Sequence, residues 1–192
     1  MPRQPVALID ANSRRCIVEY QVGTSANYKE VILKLDKWSH RAEVYDCKFS
    51  RVLIRGLTSN VSIMDCNYLD ITLDKSIVGI EMYNCRHCKI SYTDVVPSVR
   101  LDTCLDVTVQ LLENRRDDFV FVTSSSYSII INYNNKKHYV PDSLINKYGT
   151  VTEYSISNFT QIKRENDKND RSKAINPKCI DILGDISIIT LC

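Results

Sequence analysis

A pattern of apolar and polar positions returns every 19 residues between residues 42 and 111. Aligned on a shared cysteine, the four copies read AEVYDCKFSRVLI, VSIMDCNYLDITL, IEMYNCRHCKISY and VRLDTCLDVTVQL. Within each copy the apolar residues alternate with polar ones, which is the period of a β-strand. Each copy therefore predicts two short strands separated by a corner at its cysteine, which is Cys47, Cys66, Cys85 or Cys104.

Such a unit is too short to bury its own apolar side chains. Stacked copies would place equivalent residues about 4.8 Å apart and bury them in a continuous core. Residues 16–38 read as an irregular opening coil, and FVFVTSSSYSIIINY (119–133) continues the pattern in a slipped register. The sequence therefore predicts an all-β, right-handed parallel β-helix of about six coils over residues 15–135, with the hand taken from the general chirality of parallel crossovers.

The repeat stops after about residue 135, and a different segment follows. TVTEYSISNF (150–159) and CIDILGDISIITLC (179–192) are strand-like and flank a charged stretch. Because the open last coil of a β-helix invites pairing with another chain, we expect residues 136–192 to form a dimerisation segment that exchanges strands in a homodimer. The residues assigned to this exchange are Thr150, Val151, Thr152, Glu153, Tyr154 and Ile156.

Length and charge limit the number of domains and the kinds of partner that we expect. The 192 residues, 44% of them hydrophobic, fit a single domain over residues 1–192. Lys and Arg number 25 against 23 Asp and Glu, so the net charge of +2 gives no strong field toward nucleic acid. No apolar run is long enough for a membrane span or a secretory signal, and we expect a cytoplasmic protein.

Eight cysteines raise the possibilities of disulfides and of a metal site. Four of them share one repeat position, which favours a buried ladder of reduced thiols over a disulfide scaffold. Cys85-Arg86-His87-Cys88 resembles half of a zinc site, but the sequence has no second closely spaced pair. Because Cys88 falls at the repeat position of Ser50, Leu69 and Val107, it reads as a core residue at a corner, and we expect neither a metal nor a cofactor.

Alternation also predicts which side chains face solvent. Tyr45, Met64 and Tyr83 fall on one outward ladder, an apolar stripe of the kind found at interaction surfaces. A neighbouring outward ladder holds Glu43, Ser62, Glu81 and Arg100. The strands after the cysteines place Arg51, Asp70 and Lys89 outward, and both this set and the tyrosine–methionine set are candidates for binding a partner.

The run of coils, Val96-Pro97-Ser98-Val99 and the segment VPDSLINKYGTVTEYSI (140–156) together resemble the carboxy-terminal domain of cyclase-associated protein, over roughly residues 15–158. The resemblance implies a β-helix that dimerises by strand exchange and binds monomeric actin. It further implies a preference for ADP-actin and promotion of ADP-to-ATP exchange by a cytoskeleton-associated protein that is not an enzyme. The helical domain, proline-rich segment and short actin-binding helix of longer members have no counterpart here, so we expect a short, single-domain form.

Two other classes of β-helix protein remain as alternatives. In relatives of tubulin-folding cofactor C, an arginine stabilises transition-state charge in a GTPase, and Arg100 stands near the corresponding place. Arg100 next to Glu81 on an outward ladder reads more simply as half of a charge pair. A polysaccharide-processing β-helix would need a cluster of carboxylates or basic residues in a long groove, which Asp70 and Asp74 alone do not supply.

Overall fold

The computed structural model describes residues 4–10, 14–35, 37–111, 120–133, 136–140, 151–154 and 190–191. The described chain is built from β-strands joined by tight corners. In chain order the strands are β1 (Val6–Asp10), β2 (Arg15–Glu19), β3 (Lys29–Leu35), β4 (Arg41–Tyr45), β5 (Lys48–Met64), β6 (Asn67–Tyr83), β7 (Arg86–Tyr92), β8 (Ser98–Asp102), β9 (Leu105–Gln110), β10 (Val120–Ser124), β11 (Tyr127–Tyr133), β12 (Lys136–Val140), β13 (Val151–Tyr154) and β14 (Thr190–Leu191).

Two stacks of parallel strands form the walls of a parallel β-helix. The first stack contains β2, β4, the second halves of β5 and β6, β8 and β10. The second stack contains β3, the first halves of β5 and β6, β7, β9 and β11. Each stack has six rungs in the described part of the chain, so the predicted six-coil β-helix is confirmed.

The corners at the repeat cysteines are confirmed as well. The residue before each cysteine adopts a left-handed conformation, with φ of 50° at Asp46, 55° at Asp65, 48° at Asn84 and 54° at Thr103. Asp and Asn tolerate this region better than most residues because their short polar side chains bond locally. The prediction of two short strands per copy was wrong for β5 and β6, which each run through 17 residues from one stack into the other.

Antiparallel strands pair with both ends of the described β-helix. At the amino-terminal end β1 pairs with β2, and at the other end β12 pairs with β11 and β13 pairs with β10. A further strand, β14, pairs with β13. These strands supply hydrogen-bond partners to coil edges that would otherwise be free to pair with other chains.

The core consists of ladders of equivalent side chains. Val44, Ile63, Met82 and Leu101 occupy successive rungs of the first stack, and each is fully buried. Burial of such side chains contributes about 1.5–3 kcal/mol each. The 19-residue apolar pattern therefore identified the interior correctly.

The cysteine ladder lies in this core. Cys47, Cys66, Cys85 and Cys104 are at most 1% exposed, and each thiol donates to the carbonyl oxygen two residues earlier at 3.1–3.2 Å. Cys88 is also buried, as its repeat position predicts. All four ladder cysteines are free thiols, and the predicted burial of the ladder is confirmed.

The Cys85 thiol shows the effect of this packed interior. Contacts with the neighbouring thiols of Cys104, Cys66 and Cys88, together with burial, raise the pKa of Cys85. A thiol with a raised pKa stays protonated, and the thiolate is the form that attacks oxidants and binds metals. No cluster of three metal-ligating side chains occurs in the described ranges.

We expect the six described cysteines to react with a thiol reagent only as fast as the protein unfolds. The measurement is labelling of a Cys179→Ser, Cys192→Ser variant, followed by mass spectrometry, with the urea-unfolded protein as the control in which all six react. Rapid labelling of the native variant would contradict a sealed thiol core. Stoichiometric zinc in the purified protein would contradict the expectation that no metal is bound.

None of the described residues belongs to a helix long and apolar enough to cross a membrane.

Candidate functional site

The tyrosine–methionine ladder exists as the sequence predicts. Tyr45 pairs with Met64, and Met64 pairs with Tyr83, on consecutive rungs of the first stack. All three side chains are half-buried rather than fully exposed. The ladder ends at the next rung, where Asp102 takes the equivalent position.

Beside this ladder, Glu43 is buried, and its predicted outward exposure was wrong. Glu43 is 5% exposed, and Arg15 Nε lies 2.9 Å from each of its carboxylate oxygens while Arg15 Nη2 binds Oε2. The Tyr45 hydroxyl donates to Glu43 Oε2 at 2.8 Å. A carboxylate can be buried here because it is paired with a cation and hydrogen-bonded.

This network fixes one end of the ladder. The hydrogen bond from the Arg15 guanidinium is the main cause that lowers the pKa of Glu43, and the Tyr45 hydroxyl acts in the same direction. Burial raises the pKa of Tyr45, and its bond to Glu43 adds to the effect. The phenol therefore remains a neutral donor at physiological pH, and its ring is held against the first stack.

The second candidate set lies on the other stack. Arg51 pairs in register with Asp70, and Asp70 with Lys89, on the outer side of consecutive rungs. Arg51 forms ion pairs of 3.8 Å with Glu30 and with Asp70, and its side chain is half exposed. Exposed pairs of this length contribute little to stability, about 0–1 kcal/mol, so these charges are available to a partner.

The structure does not bring the two candidate sets together. Tyr45, Met64 and Tyr83 belong to the first stack, whereas Arg51, Asp70 and Lys89 belong to the second. They are two separate surfaces, and one partner contact need not use both.

Arg100 lies on β8, next to Glu81 in register, and its side chain is exposed. The adjacency matches the predicted cross-strand neighbours. The two side chains do not form an ion pair, however, so the predicted charge pair was wrong. The described neighbours of Arg100 in register are Glu81 on one side and Val122 on the other.

A third surface was missed in the sequence. Phe49, Tyr68 and His87, each two residues after a repeat cysteine, stack across three consecutive coils, with ring centroids 4.7 and 4.6 Å apart and ring planes within 13° of parallel. Tyr28 meets Phe49 edge-on at 6.0 Å. The three stacked residues, here called the corner ring ladder, all have left-handed backbones, with φ of 47°, 54° and 53°.

The same 19-residue step contains the signal for this ladder. Its members stand two residues after Cys47, Cys66 and Cys85, and the equivalent residue after Cys104 is Asp106. His87 Nδ1 lies 2.8 Å from Asp106 Oδ2. Strand alternation does not apply at a corner, which is why the pattern of strands gave no reason to group these rings.

The residues assigned to strand exchange are described in part. Val151, Thr152, Glu153 and Tyr154 form β13, which pairs antiparallel with β10 of the same chain. Thr150 and Ile156 lie outside the described residues. The pairing shows that this segment closes a final coil, and exchange with a second chain stays a prediction.

These elements define a class: a parallel β-helix with antiparallel caps and outward ladders on its two walls. Within that class the chain belongs to the family described as "Adenylate cyclase associated (CAP) C terminal", whose model matches residues 5–162. The resemblance inferred from the coil order and the Val-Pro segments is therefore confirmed.

Two curated relatives carry the same name. An adenylyl cyclase-associated protein of Dictyostelium discoideum is 26% identical over 136 residues, which are 66% of this chain and 28% of that protein. One of Schizosaccharomyces pombe is 22% identical over 129 residues, which are 67% of this chain and 22% of that protein. The chain thus spans about a quarter of the length of these relatives.

A solved structure shares the fold. The crystal structure of cyclase-associated protein from Cryptosporidium parvum superposes with a TM-score of 0.64 at 19% sequence identity. The match covers 81% of this chain and 91% of that one. At this identity the likeness concerns the fold.

Proposed function

We propose that this protein binds monomeric actin and promotes its recycling by favouring exchange of bound ADP for ATP. The observation that carries the proposal is the family assignment over residues 5–162, within which the six coils lie. The outward ladders on the walls of the β-helix are the surfaces that we propose for partner binding. The family assignment also favours actin binding over an arginine-finger role for Arg100.

Of the two outward surfaces, the tyrosine–methionine ladder is the better candidate for the centre of the actin contact. Interface centres are enriched in aromatic residues and methionine and depleted of lysine and acidic residues. Tyr45 is held by the Arg15–Glu43 network, so little side-chain entropy is lost when a partner packs on it. Arg51, Asp70 and Lys89 would then lie at the rim or outside the contact.

The proposed function is tested by release of fluorescent ADP from actin monomers with and without the protein. We expect faster release, and a lower Kd for ADP-actin than for ATP-actin. Unchanged release together with no measurable binding to either form of actin would reject the proposal. Binding without faster release would reject the exchange step and retain actin binding.

A Met64→Ala, Tyr83→Ala variant should bind actin monomers at least about tenfold more weakly, because loss of a central anchor residue costs about 2 kcal/mol or more. Tyr45 is left intact so that Glu43 keeps its donor. The measurement is titration calorimetry or fluorescence with ADP-actin.

The matched control is a Thr72→Ala, Ser91→Ala variant, which truncates two half-buried side chains on neighbouring rungs of the second stack. We expect its affinity to stay within about twofold of the wild type, since surface positions outside a contact have little effect. An Arg51→Ala, Lys89→Ala variant that loses affinity, while the Met64, Tyr83 variant keeps it, would move the contact to the second stack.

The proposed active form is a homodimer in which residues 136–192 exchange between chains. Residues 1–192 then act as one domain, with the coils over about 15–135. The support is the position of β13 at the end of the first stack, where it pairs antiparallel with β10.

A further inference from the structure

The corner ring ladder ends at an open position. Phe49, Tyr68 and His87 fill three successive rungs with planar rings. The next two coils have short side chains at the equivalent corner, Asp106 and Ser128, which share the same left-handed backbone. The outer face of the His87 ring therefore has no ring above it in the described chain.

A recess of about 400 Å³ opens at this place. The residues that line it include Tyr68, His87, Lys89, Asp106, Thr108 and Asn132. Because the coils repeat, a planar group placed there would continue a stack whose existing steps are 4.7 and 4.6 Å. Offset stacking at this spacing is favourable for aromatic rings and for the guanidinium plane.

The hydrogen-bonding groups of the recess include an acceptor without a donor. His87 Nδ1 donates to Asp106 Oδ2 at 2.8 Å, since an ionised carboxylate only accepts. Among the described residues no donor reaches the other carboxylate oxygen of Asp106. Asn132 also lines the recess, but its Oδ1 is shielded from solvent and out of reach of a ligand. A ligand for this recess should therefore bring donors to Asp106.

The charged groups of the recess are Asp106, Lys89 and, when protonated, His87. Asp106 lies at the vacant rung and is half exposed. Lys89 stands on the second stack next to Asp70 in register, and it is exposed. The Asp106 carboxylate bonds directly to the imidazole of His87.

We propose that the recess at the end of the corner ring ladder binds an arginine side chain of a partner protein. The guanidinium is planar, carries five donors and a permanent positive charge, and both stacks on rings and pairs with carboxylates. It would stack on His87 and bond to the free oxygen of Asp106. A phenyl ring would satisfy only the stack, and a lysine only the charge. This site is separate from the proposed actin contact on the tyrosine–methionine ladder.

The test is an NMR titration of the full chain with Nα-acetyl-arginine amide, observed at the ring carbon–hydrogen signals of histidine. The three histidines are His40, His87 and His138, so two of them serve as internal references. We expect a saturable shift of the His87 signals alone, in the millimolar range that suits a single side chain, about 1–10 mM. Nα-acetyl-lysine amide should shift these signals at least about fivefold more weakly.

Three variants separate the contributions. Asp106→Asn should weaken binding about fivefold or more, and Asp65→Asn, which alters a carboxylate at another corner, should leave it unchanged. Lys89→Gln should tighten binding about twofold because it removes a like charge. An intermolecular nuclear Overhauser effect between the arginine δ-methylene and the His87 ring should accompany binding.

Several outcomes would overturn the proposal. One is no saturable shift of His87 up to about 50 mM ligand, well above the expected dissociation constant. Another is a stronger response to inorganic phosphate than to the arginine derivative, with Lys89→Gln weakening binding, which would make the recess an anion site. Equal shifts at all three histidines would show a general effect of ionic strength rather than a site.

Discussion

Replacement of Gly56 by alanine should lower the free energy of unfolding by about 2–5 kcal/mol, from backbone strain and steric overlap together. Gly56 has φ of +95°, a conformation that side chains rarely adopt, and it lies in β5 where the chain turns from the second stack toward the first. A Cβ atom at this position would meet the carbonyl oxygen of Leu35 at 2.1 Å. That oxygen belongs to the neighbouring coil's backbone, so it cannot rotate away as a side chain would.

Urea unfolding followed by circular dichroism measures this loss. A Gly56→Asn variant distinguishes the two causes, since Asn tolerates positive φ better than Ala but carries the same Cβ. We expect Gly56→Asn to be as destabilised as Gly56→Ala, because the contact with Leu35 dominates. Arg51→Ala on the same strand is the control and should change stability by about 0.5 kcal/mol or less. Wild-type stability in Gly56→Ala would show that β3 and β5 do not approach as closely as described.

The parts of the fold that repeat were predictable. A core ladder such as Val44, Ile63, Met82 and Leu101 follows from strand alternation and from a constant step, because in-register stacking places residues 19 apart on one line. The cysteine ladder follows for the same reason. Register and burial in a solenoid are thus set by nearest-neighbour coils and can be read locally.

Features that depend on irregular coils could not be predicted this way. Glu43 pairs in register with Ile17 rather than with Arg15, because the first coil is longer than 19 residues, and Arg15 reaches Glu43 from two residues before Ile17. Strand alternation alone predicts that Glu43 faces solvent, because it takes no account of the Arg15 guanidinium on the preceding strand. Position in a ladder also does not predict whether two charged side chains form an ion pair. Glu81 and Arg100 are neighbours in register, but their side chains form no ion pair.

The candidate sites on regular strands were predictable from the sequence, and the site at the corners was not. The tyrosine–methionine ladder and the Arg51, Asp70 and Lys89 set were both predicted, since each lies on a strand with regular alternation. The recess beside His87 was not, because it arises at corners with left-handed backbones and from the replacement of a ring by Asp106 in one coil. The repeated residues thus form ladders, and the recess lies where one coil departs from the repeat.

The full chain should elute as a dimer of twice the chain mass in light scattering at micromolar concentration. β13 pairs antiparallel with β10 over four residue pairs, from Phe121 with Tyr154 to Ser124 with Val151. The same hydrogen bonds form if β13 comes from a second chain, so strand exchange keeps the pairing with β10. It also adds contacts between the two segments that cross from one chain to the other. Loss of β13 would leave one edge of β10 unpaired, which is costly.

Two variants test the exchange. A Thr152→Pro, Tyr154→Pro full-length variant removes two backbone donors from the β13 ladder and should be monomeric, since proline is poorly tolerated within paired strands. A chain ending at Asn158 should form a weaker dimer, because β14 pairs with β13 and would be missing. Protection of the core thiols from labelling serves as the control that both variants keep their coils folded. A monomeric full chain would reject the dimer, and an equally stable dimer from the chain ending at Asn158 would confine the exchange to residues 150–158.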